Sequence, residues 1–229
     1  MKQDIPVSKL DGRLVSFFFP NHSPEMVSFL QMLIAQPFCN QSRCLLIDAG
    51  TGEVIKALGI SPDASLSDVL FNDLSLNDII YPVQVVPNQY LSVIDASDIG
   101  LADIIGTLAA LSMSYDWVYV VTPNGCTPHH IRLAEASDSS AVFYDTDGDN
   151  FMRAYWMLDA VRRRSPRFDP IFISHGKRDI ENETSELLTV TAKEFLGGSA
   201  YYAGFINDPS TVDALITSII DTTDVSLVA

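Results

Sequence analysis

The sequence predicts an α/β fold: a mostly parallel sheet of about seven strands with helices on both faces, a three-layer sandwich. Three observations carry this expectation. Short apolar runs alternate along the chain with longer segments whose apolar residues recur at helical spacing. Those short runs are continuously apolar, as strands covered on both faces must be. And 47% of the 229 residues are hydrophobic, enough to bury a large core.

Strands are expected over 14–19, 44–48, 91–96, 117–122, 141–145, 170–174 and 202–206. Helices are expected over 24–36, 100–114, 127–136, 149–163, 181–196 and 210–220. Pro24 suits a first helical turn, Met26, Phe29, Leu30 and Leu33 form one stripe, and Pro37 must end that helix. Asp149 is placed to cap the helix faced by Phe151, Ala154, Tyr155, Leu158 and Val161. Phe17, Phe18 and Phe19 read as a buried central strand. The segment 50–86 breaks the alternation, with two short capped helices expected over 65–71 and 75–81 in one crossover.

No linker, repeat or low-complexity stretch divides the chain, so residues 1–229 are expected to form a single domain. The 29 acidic and 14 basic residues give a net charge of −15, a field that repels phosphate backbones and argues against a nucleic-acid partner. Cys39, Cys44 and Cys126 are too few for a disulfide framework and form no Cys-x-x-Cys pair, which suits a reducing cytosol. No apolar signal core opens the sequence and no stretch approaches a bilayer span, so a soluble, cytoplasmic protein is expected.

Open α/β sheets hold their ligands at the carboxyl ends of the strands, which directs attention to the turn after the first strand. A phosphate cradle there needs glycines whose N–H groups converge on the anion, then a lysine and a hydroxyl. The turn Pro20-Asn21-His22-Ser23-Pro24-Glu25-Met26 has neither glycine nor lysine. Its two prolines remove donors, and Glu25 sets negative charge against phosphate.

Seven stretches in order resemble the MinD/ParA family of deviant P-loop ATPases, a family that includes flagellar-number regulators and polysaccharide-export tyrosine-kinase domains. They are RLVSF at 13–17, CLLID at 44–48, SLSDVL at 65–70, LNDII at 76–80, YLSVIDA at 90–96, YDWVYVVTP at 115–123 and GFIND at 204–208. The resemblance implies a P-loop NTPase-like sandwich over nearly the whole chain. It also implies where the nucleotide motifs have degenerated. Pro20 stands at the family's signature lysine, Glu25 at the Walker lysine and Met26 at the magnesium-binding hydroxyl. Asp48 keeps the first acid of the second-strand pair while Gly50 replaces the second. Val121 takes the place of the magnesium-linked acid, and Ser174 with His175 falls where an asparagine reads adenine. One surviving carboxylate does not assemble a magnesium nucleotide site.

The expectation is therefore a pseudo-ATPase without cofactor, a regulator or scaffold of a cell-envelope process: polysaccharide export, pili, flagella or division. Its implied partner is a protein, such as a member of a membrane-associated assembly that recruits it to the inner membrane. The tail 221–229 lacks a basic amphipathic helix, so direct membrane insertion is not expected. The chain is expected as a monomer or a nucleotide-independent homodimer. The alternative is an active ATPase or tyrosine-kinase-like domain that binds ATP and magnesium through an atypical phosphate loop; the same tail, without a tyrosine cluster, speaks against the kinase version.

Other constellations read more plainly. Asp145-Thr146-Asp147-Gly148-Asp149 begins like a calcium loop, but Asn150 and Trp156 stand at its sixth and twelfth positions, so an acidic capping turn is expected. His129, His130 and Cys126 lack a fourth ligand and read as a helix start. No Gly-x-Ser-x-Gly elbow occurs. Arg162, Arg163, Arg164 and Arg167 cluster at a helix C-terminus, where half of their charge suits the helix dipole. The candidate partner-binding residues are His22 and Glu25, at the carboxyl edge with 50–86 and 122–130, and alternatively Arg163 and Arg164.

Overall fold

The computed structural model describes residues 13–19, 25–34, 43–86, 89–147, 151–166, 168–178, 181–197 and 200–224. Its centre is an eight-stranded sheet in the order β3-β4-β2-β5-β1-β6-β7-β8. The strands are β1 (Arg13–Phe18), β2 (Cys44–Asp48), β3 (Tyr81–Val86), β4 (Gln89–Asp95), β5 (Trp117–Val121), β6 (Ser139–Asp145), β7 (Ile171–His175) and β8 (Tyr201–Phe205). All pairings are parallel except β3 with β4.

The helices are α1 (Glu25–Ile34), α2 (Glu53–Ala57), α3 (Leu66–Phe71), α4 (Leu101–Ser112), α5 (Pro128–Ala136), α6 (Phe151–Arg162), α7 (Glu181–Leu196) and α8 (Pro209–Asp224). On one face, Leu66, Ile104, Leu108, Leu133, Ala154, Leu158 and Leu188 bring α3 to α7 onto the sheet. On the other, Phe29, Leu30, Leu33, Val54, Val212 and Leu215 bring α1, α2 and α8 against it. β1 lies in the middle, and Phe17, Phe18 and Phe19 are all buried. Phe19 stacks on Phe143 at 4.4 Å between ring centroids, and Phe29 meets the same ring edge-on at 5.3 Å.

The seven expected strands are present, and an eighth joins them. Tyr81 does not end a helix as expected but opens β3, which pairs antiparallel with β4 from Tyr81↔Val93. Pro82 is tolerated because an edge strand leaves one side of its backbone unpaired. The expected second helix of 50–86 is a single 3-10 turn, Leu76–Ile79. Both short elements are held by capping boxes, Ser65 with Asp68 and Ser75 with Asp78. Tyr81 ties the segment together: its hydroxyl accepts from the amides of Asp63 at 2.9 Å and Ala64 at 3.0 Å. The helix α2 went unexpected because five residues are too few to show a period. Pro24, Pro37, Cys39, the cap Asp149 with Asn150, Arg167 and the tail 225–229 lie outside the described residues.

Candidate functional site

The carboxyl ends of the central strands form one row. Asp48 closes β2 beside Asp95 of β4 on one side and Val121 of β5 on the other, and Val121 in turn faces Phe17 of β1. Of the expected positions, Pro20 and His22 lie outside the described residues. The backbone of Glu25 and Met26 opens α1, and their side chains are not described. Asp48, Gly50 and Val121 come together at this edge, and Ser174 lies further along it on β7.

Asp48 is 1% exposed, and both its oxygens are taken up within the chain. Oδ1 accepts from the amide of Gly50 at 3.0 Å, and Oδ2 from that of Ile55 at 3.3 Å. The second bond closes the open N-terminus of α2. Gly52 caps that helix in the left-handed region, φ 72°, with no side chain to offer, so the carboxylate at the end of β2 supplies the acceptor instead. Burial raises the Asp48 carboxyl above its ordinary value, a push reinforced by the charge of Asp95 and opposed by the bonds from Gly50 and Ile55.

That raised value sets a pH dependence. The folded state holds the Asp48 proton more tightly than the unfolded chain, so this contribution to stability is present in acid and lost as pH rises through the raised value. Urea unfolding across a pH series should show the wild-type protein losing ground against Asp48→Asn as pH climbs from the ordinary carboxylate range towards neutrality. A wild-type advantage that grows with pH would mean the carboxyl is stabilised as an anion.

Val121 is fully buried in the apolar layer with Phe17 and Phe143, and offers no donor atom at the edge. Thr122, next in the chain, turns its hydroxyl back to the carbonyl of Phe17 at 3.0 Å. Ser174 is buried and its hydroxyl meets that of Tyr202 at 2.7 Å. At the end of β6, Asp145 accepts the amide of Asp147 at 2.8 Å, while Lys177 donates to Asp147 at 2.8 Å. Gly176 passes so closely, with φ 93°, that a Cβ there would lie 2.5 Å from Asp145 Oδ1. The described part of the acidic turn is thus bound up with β7.

The start of α5 has a structural use for His130. Its Nδ1 accepts from the Thr127 amide at 3.1 Å, which leaves Nε2–H to donate to the Pro123 carbonyl at 3.0 Å. Burial holds its pKa below the ordinary value. Among the described residues no group of three or more His, Cys, Asp or Glu is arranged to hold a metal ion.

The arginine cluster divides in a way the sequence pattern does not foretell. Arg162 is 8% exposed, with its Nε donating to the Phe168 carbonyl at 2.9 Å and its guanidinium 3.3 Å from Asp169. It is a structural strut rather than part of a surface patch. Arg163 and Arg164 stay exposed and pair with Asp159 at 2.8 Å and Glu135 at 3.1 Å.

A central parallel sheet with this row at its carboxyl edge and helices on both faces is the fold of the MinD/ParA-like P-loop ATPases. A chain of the MinC:MinD cell division protein complex of Aquifex aeolicus matches with TM-score 0.63 at 16% identity, over 94% of this chain and 96% of that one. A plasmid partition protein of Borrelia burgdorferi matches with TM-score 0.64 at 14% identity, over 92% and 99%. An ATP complex of a Cyanothece McdA variant matches with TM-score 0.62 at 13% identity, over 93% and 92%. No family model and no curated protein sequence matches the chain. Among the described residues no helix is long and apolar enough to cross a membrane.

Among the residues described at this edge, no group of three or more His, Cys, Asp or Glu is arranged to hold magnesium. Magnesium takes oxygen ligands, commonly one or two carboxylates together with water. Val121 has no oxygen on its side chain, and each oxygen of Asp48 already accepts a backbone amide.

Proposed function

We propose that this chain is a pseudo-ATPase on the MinD/ParA fold: a regulatory or scaffolding protein that has kept the architecture and given up nucleotide chemistry. The observation that carries the reading is Asp48, an acid at the expected catalytic edge that serves as the distant cap of α2. The absence of glycine and lysine from Pro20 to Met26 supports it independently. Like the MinD of the MinC:MinD complex, it would act by holding a protein partner, here in the spatial organisation of a cell-envelope process. The proposed setting is the cytoplasm, with recruitment to the inner membrane through that partner.

The partner surface in this reading is the carboxyl edge, built from the turn 20–25, the segment 50–86 and the loop 122–130. Its rival is the exposed pair Arg163 and Arg164. Two double variants separate them once a pull-down has identified the partner: His22→Ala with Glu25→Lys, and Arg163→Glu with Arg164→Glu. The arginine variants replace surface ion pairs with like-charge pairs against Asp159 and Glu135, exposed effects of about 1 kcal/mol each, so their folding should survive. Binding should fall at least tenfold in the first double variant and persist in the second. The reverse outcome moves the contact to the end of α6.

A further inference from the structure

Charge in this molecule is segregated. From Ala57 to Ile131 the chain has eight aspartates and no lysine or arginine. That stretch builds α3, the 3-10 turn, β3, β4, α4 and β5, and so occupies one end of the sheet. By contrast α5 and α6, with the two residues that follow α6, carry five arginines against only Glu135 and Asp159. Three of those arginines, 162, 163 and 164, are in ion pairs. Arg132 and Arg153 have no ion pair among the described residues.

Arg153 borders a cavity of about 190 Å³ shared with Gly125, Cys126 and Trp156. Trp156 is 59% exposed, unusual for so large a ring on a helix whose other apolar residues are buried or half-buried. An indole and a free guanidinium at the mouth of one cavity suit an aromatic or aliphatic side chain that arrives next to a carboxylate.

The acidic end of the molecule presents such a group. After α3 the chain turns at Asp73, whose φ of 58° is the only positive value of a non-glycine among the described residues. Phe71 and Leu74 flank it, 70% and 38% exposed. The aspartates of the two capping boxes, Asp68 and Asp78, are occupied, whereas Asp73 has no partner among the described residues. An exposed phenyl ring beside a free carboxylate complements an exposed indole beside a free guanidinium.

We propose that the protein self-associates through these two surfaces, the Phe71-Asp73-Leu74 apex of one copy seated in the Arg153–Trp156 cavity of another. Apex and cavity belong to elements on the same face of the sheet, with α4 and α5 between them. A two-fold axis between the surfaces makes the contact twice and closes the assembly at a dimer, the commonest symmetry of homo-oligomers. Each contact is small beside a stable interface of about 800 Å² per partner, and much of its strength is electrostatic. The dimer is therefore concentration-dependent, with no requirement for nucleotide.

The test uses the full chain without nucleotide or any other protein, so its outcome is independent of the proposed pseudo-ATPase role. Sedimentation equilibrium over a range of concentrations at physiological salt, where the repulsion between two copies of charge −15 is screened, should show a monomer–dimer equilibrium. Arg153→Glu, and separately Phe71→Ala with Asp73→Asn, should each weaken it at least tenfold, while the same charge change at Lys193→Glu should not. Direct contact is read by Asn72→Cys, which should form a disulfide with Cys126 of the second copy under a mild oxidant at mildly alkaline pH. The cross-link should vanish in Cys126→Ser and fall in Arg153→Glu, with thermal melts confirming that each variant is folded. A chain that stays monomeric at every concentration overturns the proposal. So does a dimer indifferent to Arg153→Glu and to the apex variant, or a cross-link whose yield ignores Arg153→Glu.

Discussion

Mixed with ATP or GTP and magnesium, the purified protein should release no phosphate above the buffer control, and calorimetry should detect no binding tighter than about 1 mM, a free energy of about 4.1 kcal/mol. Two losses combine to give this result. Residues 20–26 lack the glycines whose amides would converge on phosphate, and Glu25 stands where the resemblance places a lysine. Near a protein surface, a like-charged pair 4 Å apart costs about 4 kcal/mol where an opposite pair gains as much. Reversing that sign alone removes most of the affinity a phosphate site has. Meanwhile Asp48 is withdrawn into the cap of α2. Light scattering at one protein concentration should give the same mass with and without ATP and magnesium. Micromolar affinity that disappears in Asp48→Ala would restore the alternative of an active ATPase with an atypical phosphate loop.

The largest loss of stability should follow Phe143→Ala. Phe143 is fully buried on β6, stacked on Phe19, edge-on to Phe29 and 6.2 Å from the ring of Phe17. It therefore fastens α1 to the central strands. Removing the ring forfeits its transfer from water and leaves a cavity that three neighbouring rings are too rigid to fill, a cost of about 3–5 kcal/mol. For a chain of this size the midpoint of thermal unfolding should drop by roughly 10 °C. Phe143→Leu, which keeps most of the volume, should cost less than half as much in the same urea titration. Equal losses in the two variants would mean that the ring contacts themselves, rather than the filled volume, hold α1 in place.

The elements the sequence displayed are those whose physics is local. β1, β2, β5, β6 and β7 are continuous apolar runs because helices cover them on both sides, and such runs stand out in any reading. The long helices declared themselves by period, and Ser65 and Ser75 marked two starts because a capping box needs only four residues. β3 escaped because an edge strand buries little, and its Pro82 and exposed Gln84 dilute the apolar signal.

At the candidate site the sequence determined what was missing, and the tertiary structure decided what the survivors do. Composition alone argues against a glycine-and-lysine phosphate cradle, since residues 20–26 contain neither. Asp48, by contrast, reads in sequence as the remnant of a metal pair. It becomes a helix cap only because Gly52 adopts a left-handed turn that aims the amides of α2 back at the end of β2. In the same way three consecutive arginines are indistinguishable along the chain. The carbonyl of Phe168 draws Arg162 inward, and the surfaces of α5 and α6 leave Arg163 and Arg164 to water. A side chain's type is fixed by sequence, but which partners lie within about 3 Å of it depends on segments far apart along the chain, and only the packed sheet and helices bring those together.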